Sequence, residues 1–477
     1  MWFDWILKRK NFLYLLKQIQ IKNQQTLRPD FYSIVDVLGI VYFIIFYLIA
    51  NSIARKNESN QLYKKYFVKG FYYKMIGSLG FYIIYAFYYR GGDSCTYFIN
   101  GVVFNEYMLF QDFADGIRVI FSNITGVDNL PSWISNQSVY VYGEGYILRD
   151  TKALLVARIS SLISLFCFNS YLVTCMAFGF LSYLAIFKLF SLFCRFYPSR
   201  VDGLSFAFLK VPSFIFWGSS VNKDTICVAM LCVLFYSFHK LFIEFKLYPK
   251  YLIALIISTY LVFSIKSYIV IAALPGLLMF AFVNYQNKVL SGALRRLFAP
   301  LMIAVGLLTF FLLYQSLSQT FTEFSEESLA VRAEGFKSDH MNIQERSGGS
   351  GYSLGDNIDY SPLTIVKKAP LALTIALFGP FPWQVRNVVM LLSSMESMYF
   401  FYLFLTSIIG VYGIRKLSGA LTDPVLLFCI TFTIILGISI GLTSFNYGAL
   451  VRFKIPFLPF FSTFLIVLEK PVLNKSK

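Results

Sequence analysis

Charge is scarce in this chain. Of its 477 residues only 14% are Asp, Glu, Lys or Arg, against about 25% in a soluble domain. Histidine occurs twice, at His239 and His340, which nearly excludes His-based metal sites and Ser-His triads. The seven cysteines form no CxxC or Cys/His spacing, and six lie inside apolar segments, where a thiol acts as a small hydrophobe. That usage also excludes a disulfide-built fold. A cleavable leader is not expected, because Lys8, Arg9 and Lys10 interrupt the stretch Trp2 to Leu16 and no small-residue cleavage site follows it. The short alternating segments of a membrane β-barrel are missing as well.

What the chain has is apolar surface. Fifty-seven per cent of the residues are hydrophobic and 19% aromatic, with 52 Phe and 33 Tyr. No water-soluble core of this length could bury that much and keep a polar exterior. We expect an all-α, polytopic transmembrane helical bundle of about 10–12 membrane helices, with the bilayer as its solvent and short re-entrant or juxtamembrane helices beside the spans. Residues 1–30 mix bulky apolar side chains with Lys, Arg and Gln and read as a basic amphipathic segment on the membrane surface. Residues 31–470 form one transmembrane domain with loops near 90–152 and 317–387, and 471–477 are a basic cytoplasmic tail. Long apolar runs fall at about 31–53, 71–89, 171–194, 225–245, 251–265, 268–285, 297–316, 388–414, 424–442 and 455–469. Those at 153–167 and 204–218 are shorter, and the first, which carries Arg158, is expected to cross only halfway.

Forty-two Lys and Arg against 25 Asp and Glu give a net charge of +17. The bases gather in short clusters between apolar runs, such as Lys64-Lys65, Arg295-Arg296 and Arg415-Lys416. That is the positive-inside pattern, and no nucleic-acid partner is implied. Counting back from the basic tail leaves 444–454, 317–387, Lys266 and Asn222-Lys223-Asp224 on the outer face. The loop from 317 agrees in sign, with eight acids against five bases between 317 and 369.

Several constellations on that face could carry chemistry. In Tyr88-Tyr89-Arg90-Gly91-Gly92-Asp93-Ser94, two flexible glycines end an apolar helix and present Asp93 at the membrane surface. Asp93 could act as general base toward a hydroxyl or contribute oxygen to a divalent metal; a helix C-cap with a solvated Asp is the alternative. Lys223 stands where two apolar runs meet, beside a helix that Ser219 or Asp224 would cap, in a plausible phosphate grip. Arg386 follows a Pro- and aromatic-rich segment that cannot be regular helix. Glu396, two turns into the next apolar run, is a buried acid and so a catalytic candidate. Arg452 and Lys454 stand two residues apart before the closing helix, where Arg would chelate phosphate and Pro456 would occupy the first helical turn. Snorkelling to headgroups is the alternative for both. Ser347 to Tyr352 is Gly-rich without being a P-loop, and reads as a substrate-covering loop or a plain linker.

Gly-Gly-Asp after an early helix, a large late outer loop and the ending Arg452-Phe453-Lys454-Ile455-Pro456-Phe457-Leu458-Pro459 resemble bacterial polysaccharide-assembly membrane proteins. The chain is similar to GT-C-type glycosyltransferases and to O-antigen or capsule polymerases of the Wzy type. The resemblance implies a multi-pass enzyme of the bacterial inner membrane. It would transfer a glycosyl group at the periplasmic face from a polyprenyl-phosphate-linked sugar donor to a glycan or lipid-linked acceptor. Asp93 matches the catalytic acid of the first outer loop, and Arg452, then Arg386, match the phosphate-holding arginines. Arg158, Lys223 and Lys454 complete the expected donor-binding set, with Asp93 and Glu396 as the catalytic carboxylates. A flippase or transporter of lipid-linked oligosaccharide, or a non-catalytic assembly factor, would fit the same composition. The flippase would carry inverted repeats and charges at mid-membrane depth.

Overall fold

The computed structural model describes residues 34–57, 59–141, 145–289, 351, 352, 354, 362–386, 388–409, 417 and 419–469. The segment 1–30, the run 297–316, most of the loop 317–387 and the tail 471–477 lie outside the described residues. Within them the chain is helical and contains no β-strand. In chain order the helices are α1 (Leu38–Lys56), α2 (Val68–Ile83), α3 (Asp93–Phe110), α4 (Phe113–Phe121), α5 (Ser132–Asn136), α6 (Thr151–Phe166), α7 (Tyr171–Phe196) and α8 (Val201–Leu209). There follow α9 (Pro212–Trp217), α10 (Lys223–Phe238), α11 (Pro249–Val289), α12 (Pro362–Phe378), α13 (Val388–Phe404), α14 (Pro424–Thr443), α15 (Tyr447–Phe453) and α16 (Leu458–Leu468).

This is an all-α polytopic bundle. Among the described residues six helices are long and apolar enough to cross a membrane, or seven if the bent pair α15–α16 counts as one. The count of about 10–12 from sequence includes a run outside the described residues and treats the halves of α11 as two spans. The long pieces stack with aromatic and aliphatic side chains between them: α7 lies on α2 and α10, α11 on α10 and α14, and α12 on α14. One continuous buried cluster, centred on residues such as Phe193, Phe235, Phe428 and Phe460, joins these helices. Helix α1 faces the other way, with Ile40, Ile44, Leu48 and Ile49 exposed, as lipid-facing positions should be.

At 41 residues, α11 is too long for one straight span, since a bilayer core of about 30 Å takes about 20. Its backbone leaves helical geometry at Lys266 (φ −142°, ψ 75°). Tyr251, before the break, packs on Tyr236 with ring centroids 6.3 Å apart. Phe280, after it, packs on Phe235 at 5.3 Å, and the Tyr285 hydroxyl donates to the Phe242 carbonyl at 2.7 Å. Both arms therefore end beside the C-terminal part of α10, while Lys266 pairs with Asp224 at its start. The chain reverses at Lys266, between the apolar runs 251–265 and 268–285.

The weaker candidates for crossing form two different structures. Residues 151–166 make one continuous helix, α6, packed on α3. A Cβ on Gly101 would come within 2.8 Å of the Ser161 backbone nitrogen, so only glycine lets these two backbones approach so closely. Asn105 in the same contact donates to the Ser161 carbonyl and the Ser164 hydroxyl, both at 3.0 Å. The run 204–218 is broken into α8 and α9 where Pro212 begins a new helix. Lys74 and Ser182 satisfy the Gly218 carbonyl after that break, each at 2.8 Å.

Candidate functional site

Four chain segments distant in sequence meet at one end of the bundle. The first is the turn into α3. Gly91 and Gly92 have φ of 147° and 105°, a backbone that side chains rarely tolerate. A Cβ on Gly92 would also stand 3.1 Å from the Tyr85 ring. Asp93 is thereby the first residue of α3: it stands at a helix start and not in the solvated turn of the alternative reading.

The second segment is the start of α10. Asn222 is the N-cap, its side chain accepting from the Thr225 amide at 3.0 Å; the expected caps, Ser219 or Asp224, give way to it. Lys223 and Asp224 begin the helix. Lys223 Nζ pairs with Asp150 at 3.1 Å and stands 5.7 Å from the centre of the Tyr97 ring. Asp150 in turn caps α6 through the Lys152 amide. Burial opposes its ionisation, but the Lys223 charge and hydrogen bond outweigh that and hold its carboxyl below the ordinary range.

Lys266, at the reversal of α11, is the third contributor, and Arg452 the fourth. Arg452 lies in the last turn of α15. The chain then bends by 72° into α16, whose first turn carries Pro459. This corrects the expectation for Pro456, which lies in the intervening turn, and for Arg452, which stands at a helix C-terminus and not beside the free N–H groups of the closing helix.

Arg452 organises the centre. Its Nε is 3.3 Å from Oδ2 of Asp224, its Nη1 3.3 Å from Oδ2 of Asp93, and its Cζ 5.0 Å from the centre of the Trp217 ring. Lys266 Nζ bonds the other oxygen of Asp224 and lies 4.5 Å from the centre of the Phe453 ring. The two carboxylates differ sharply: the Asp224 side chain is fully buried, whereas that of Asp93 is 52% exposed. A buried carboxylate held by two cations is a fixed foundation. A half-exposed one is an exchangeable partner. Arg452 thus has one edge anchored and one edge turned toward Asp93 and solvent.

The site residues named from sequence separate into two groups. Asp93, Lys223 and Arg452 meet at this centre. Arg158, Glu396, Lys454 and Arg386 have other surroundings. Arg158 is buried and donates to the Val119 carbonyl at 3.0 Å and to that of Ile124, tying down the segment after α4. Glu396 accepts from the Ser213 amide at 2.8 Å and from its hydroxyl at 2.6 Å. Lys454, fully buried, donates to Ser397 Oγ at 3.1 Å and to the Gly379 carbonyl at 3.4 Å. Arg386 is exposed after the short turn Pro382–Gln384. Asp224 and Asp150 were not singled out as chemistry-bearing by sequence; the available signal was an acid at the mouth of an apolar run whose neighbours supply bases.

No three His, Cys, Asp or Glu side chains gather into a metal-holding group among the described residues, and the carboxylate suggested for a divalent metal, Asp93, faces a guanidinium. Tyr352 adds a strap beside α15: its amide donates to the Phe445 carbonyl at 3.0 Å, and its ring lies 5.0 Å from that of Tyr447. This is where the end of the Gly-rich segment Ser347 to Tyr352 is held. No family model, curated protein or solved structure matches this chain.

Proposed function

We propose that the Asp93–Arg452 centre transfers a glycosyl group from a polyprenyl-phosphate-linked donor to a glycan or lipid-linked acceptor, at the periplasmic face of a bacterial inner membrane, in polysaccharide or O-antigen assembly. The observation that carries the reading is the asymmetric grip on Arg452, with buried Asp224 on one edge and half-exposed Asp93 on the other. Arg452, Lys266 and Lys223 are balanced by Asp93, Asp224 and Asp150. An incoming phosphate therefore competes with a carboxylate for Arg452, and Asp93 is the more exposed of the two that hold it. Displaced, Asp93 is free to accept the proton of an acceptor hydroxyl while Arg452 takes up charge on the leaving phosphate. The new bond joins the acceptor oxygen to the sugar's anomeric carbon, and the bond from that carbon to the phosphate oxygen breaks. Trp217, partly exposed beside the guanidinium, adds an aromatic surface suited to a sugar or a prenyl chain, with the buried rings of Tyr85 and Tyr97 packed behind the centre.

The test is turnover of a lipid-linked donor by purified wild type and Asp93→Asn at matched protein levels. A loss of a hundredfold or more with normal membrane insertion is expected; full turnover in the variant would leave Asp93 a helix-start residue only. Transport of a lipid-linked oligosaccharide has one observation in its favour, the buried Glu396 and Lys454. A strain lacking the protein separates the two: shortened surface polymer points to polymerisation, whereas accumulated lipid-linked units on the inner side point to transport.

A further inference from the structure

The opposite end of α10 carries a second charged cluster that the glycosyl-transfer reading does not use. There α10 passes into a wider turn, His239–Ile243, and the chain leaves it through Glu244 to Tyr248 before α11 begins. The Glu244 carboxylate is surrounded. Lys240 Nζ lies 2.6 Å from both its oxygens, Lys246 Nζ 2.9 Å from Oε2, and Arg195 Nη1, from the end of α7, 3.7 Å from Oε1. His239 Nδ1, buried, faces Oε1 at 3.4 Å and has no hydrogen-bond partner among the described residues. Three permanent cations thus converge on one carboxylate.

The helix C-terminus accounts for roughly half a unit of that excess; more than one positive charge remains over. The cations are also layered. Lys240 is 5% exposed and built in, whereas Arg195 and Lys246 are 54% and 49% exposed and reach outward. Around them Phe242, Phe245, Leu247 and Tyr248 are exposed, an apolar rim on the same stretch of chain as the charges. Lys250 stands over the Tyr248 and Tyr251 rings, 5.5 and 5.1 Å from their centres. Cations at the ends of two long apolar helices, flanked by exposed apolar side chains, suit a phosphate that carries acyl chains better than a phosphate in free solution.

We propose that this end of the bundle binds an anionic phospholipid, its headgroup phosphate held by Arg195 and Lys246 above the Lys240–Glu244 pair and its chains lying along Phe242, Phe245 and Leu247. The site is remote from Asp93 and Arg452, so it stands or falls apart from the transferase reading.

The experiment uses the full chain, purified in detergent and delipidated, with thermal stability followed during titration with phosphatidylglycerol, with phosphatidylcholine of the same chains, and with inorganic phosphate. Phosphatidylglycerol should raise the melting temperature saturably, and the other two should not. Each basic residue near an anionic lipid surface is worth about fivefold in affinity, so Arg195→Gln with Lys246→Gln should weaken the phosphatidylglycerol response on the order of twentyfold. Lys246→Gln alone, which leaves Arg195 and Lys240 on Glu244, should weaken it about fivefold and serves if the double variant does not fold. Equal responses to both lipids, a matching response to inorganic phosphate, or undiminished phosphatidylglycerol binding by the variants would overturn the proposal.

Discussion

Arg452 Nε reaches Asp224 Oδ2 at 3.3 Å although 228 positions separate them in sequence. Asp224 is enclosed at the start of α10, and its other oxygen is held by Lys266. The contact therefore joins α10, the reversal of α11 and the end of α15 through one carboxylate.

Replacing that carboxylate should be costly. Asp224→Asn leaves two buried or half-buried cations facing a neutral amide, and uncompensated buried charge typically costs about 3–5 kcal/mol. A fall in melting temperature and in membrane-inserted protein is expected, read by thermal denaturation in detergent. Wild-type stability in the variant would mean that water already shares the pair.

Arg452→Lys tests geometry at constant charge. One guanidinium bridges Asp93 and Asp224, whereas an ammonium on a shorter fork cannot span both in the same way. Losing one charge-assisted hydrogen bond of roughly 1.5–3 kcal/mol should weaken donor binding about tenfold to a hundredfold. The comparison is the donor KM of each form at matched levels; identical values would reduce Arg452 to a structural partner of Asp224.

The two ends of α10 should be separable by labelling. All seven native cysteines are buried, so the background is low. Single cysteines introduced at position 90, in the turn before Asp93, and at position 247, beside Glu244, should react with an impermeant thiol reagent from opposite sides of the membrane. Reaction of both from one side would contradict the path of α10 described above.

The Glu244 cluster sets a pH dependence. Burial raises its carboxyl pKa, but the hydrogen bonds from Lys240 and Lys246 dominate and bring it down to about 2. A carboxyl lowered on folding contributes stability that is fully present above its unfolded pKa, near 4.5, and is lost as pH falls from there toward 2. Wild type should therefore lose on the order of 2 kcal/mol more than Glu244→Gln across that window. Parallel melting-temperature profiles for the two proteins between pH 5 and roughly pH 2.5 would refute the assignment.

Much of the architecture could be read from composition, because a chain this poor in charge must place its few charges deliberately. The order of apolar runs and the signs of the loops between them put Asp93, Lys223 and Arg452 on one face, and the reversal at Lys266 lies between two such runs. Pairings across the fold were not legible. Arg158 was a cation in an apolar segment, and nothing local says that its partners are the carbonyls of Val119 and Ile124. Pro456 suits a first helical turn, and on sequence alone this places Arg452 at the start of the closing helix. The turn through Ile455 to Phe457 and the 72° bend belong to tertiary packing. Asp224 looked like an ordinary helix-start acid because its significance lies in residues 42 and 228 positions away.

The Arg452 guanidinium against the Trp217 indole, 5.0 Å from Cζ to ring centre, gives this centre an optical signature. Indole emission responds to a charge against its face, so any ligand that shifts Arg452 changes the fluorescence of Trp217. The chain has five tryptophans in all. With the other four replaced by Phe, the protein would report occupation of its own centre in real time, without a labelled substrate and before the sugar it handles is known.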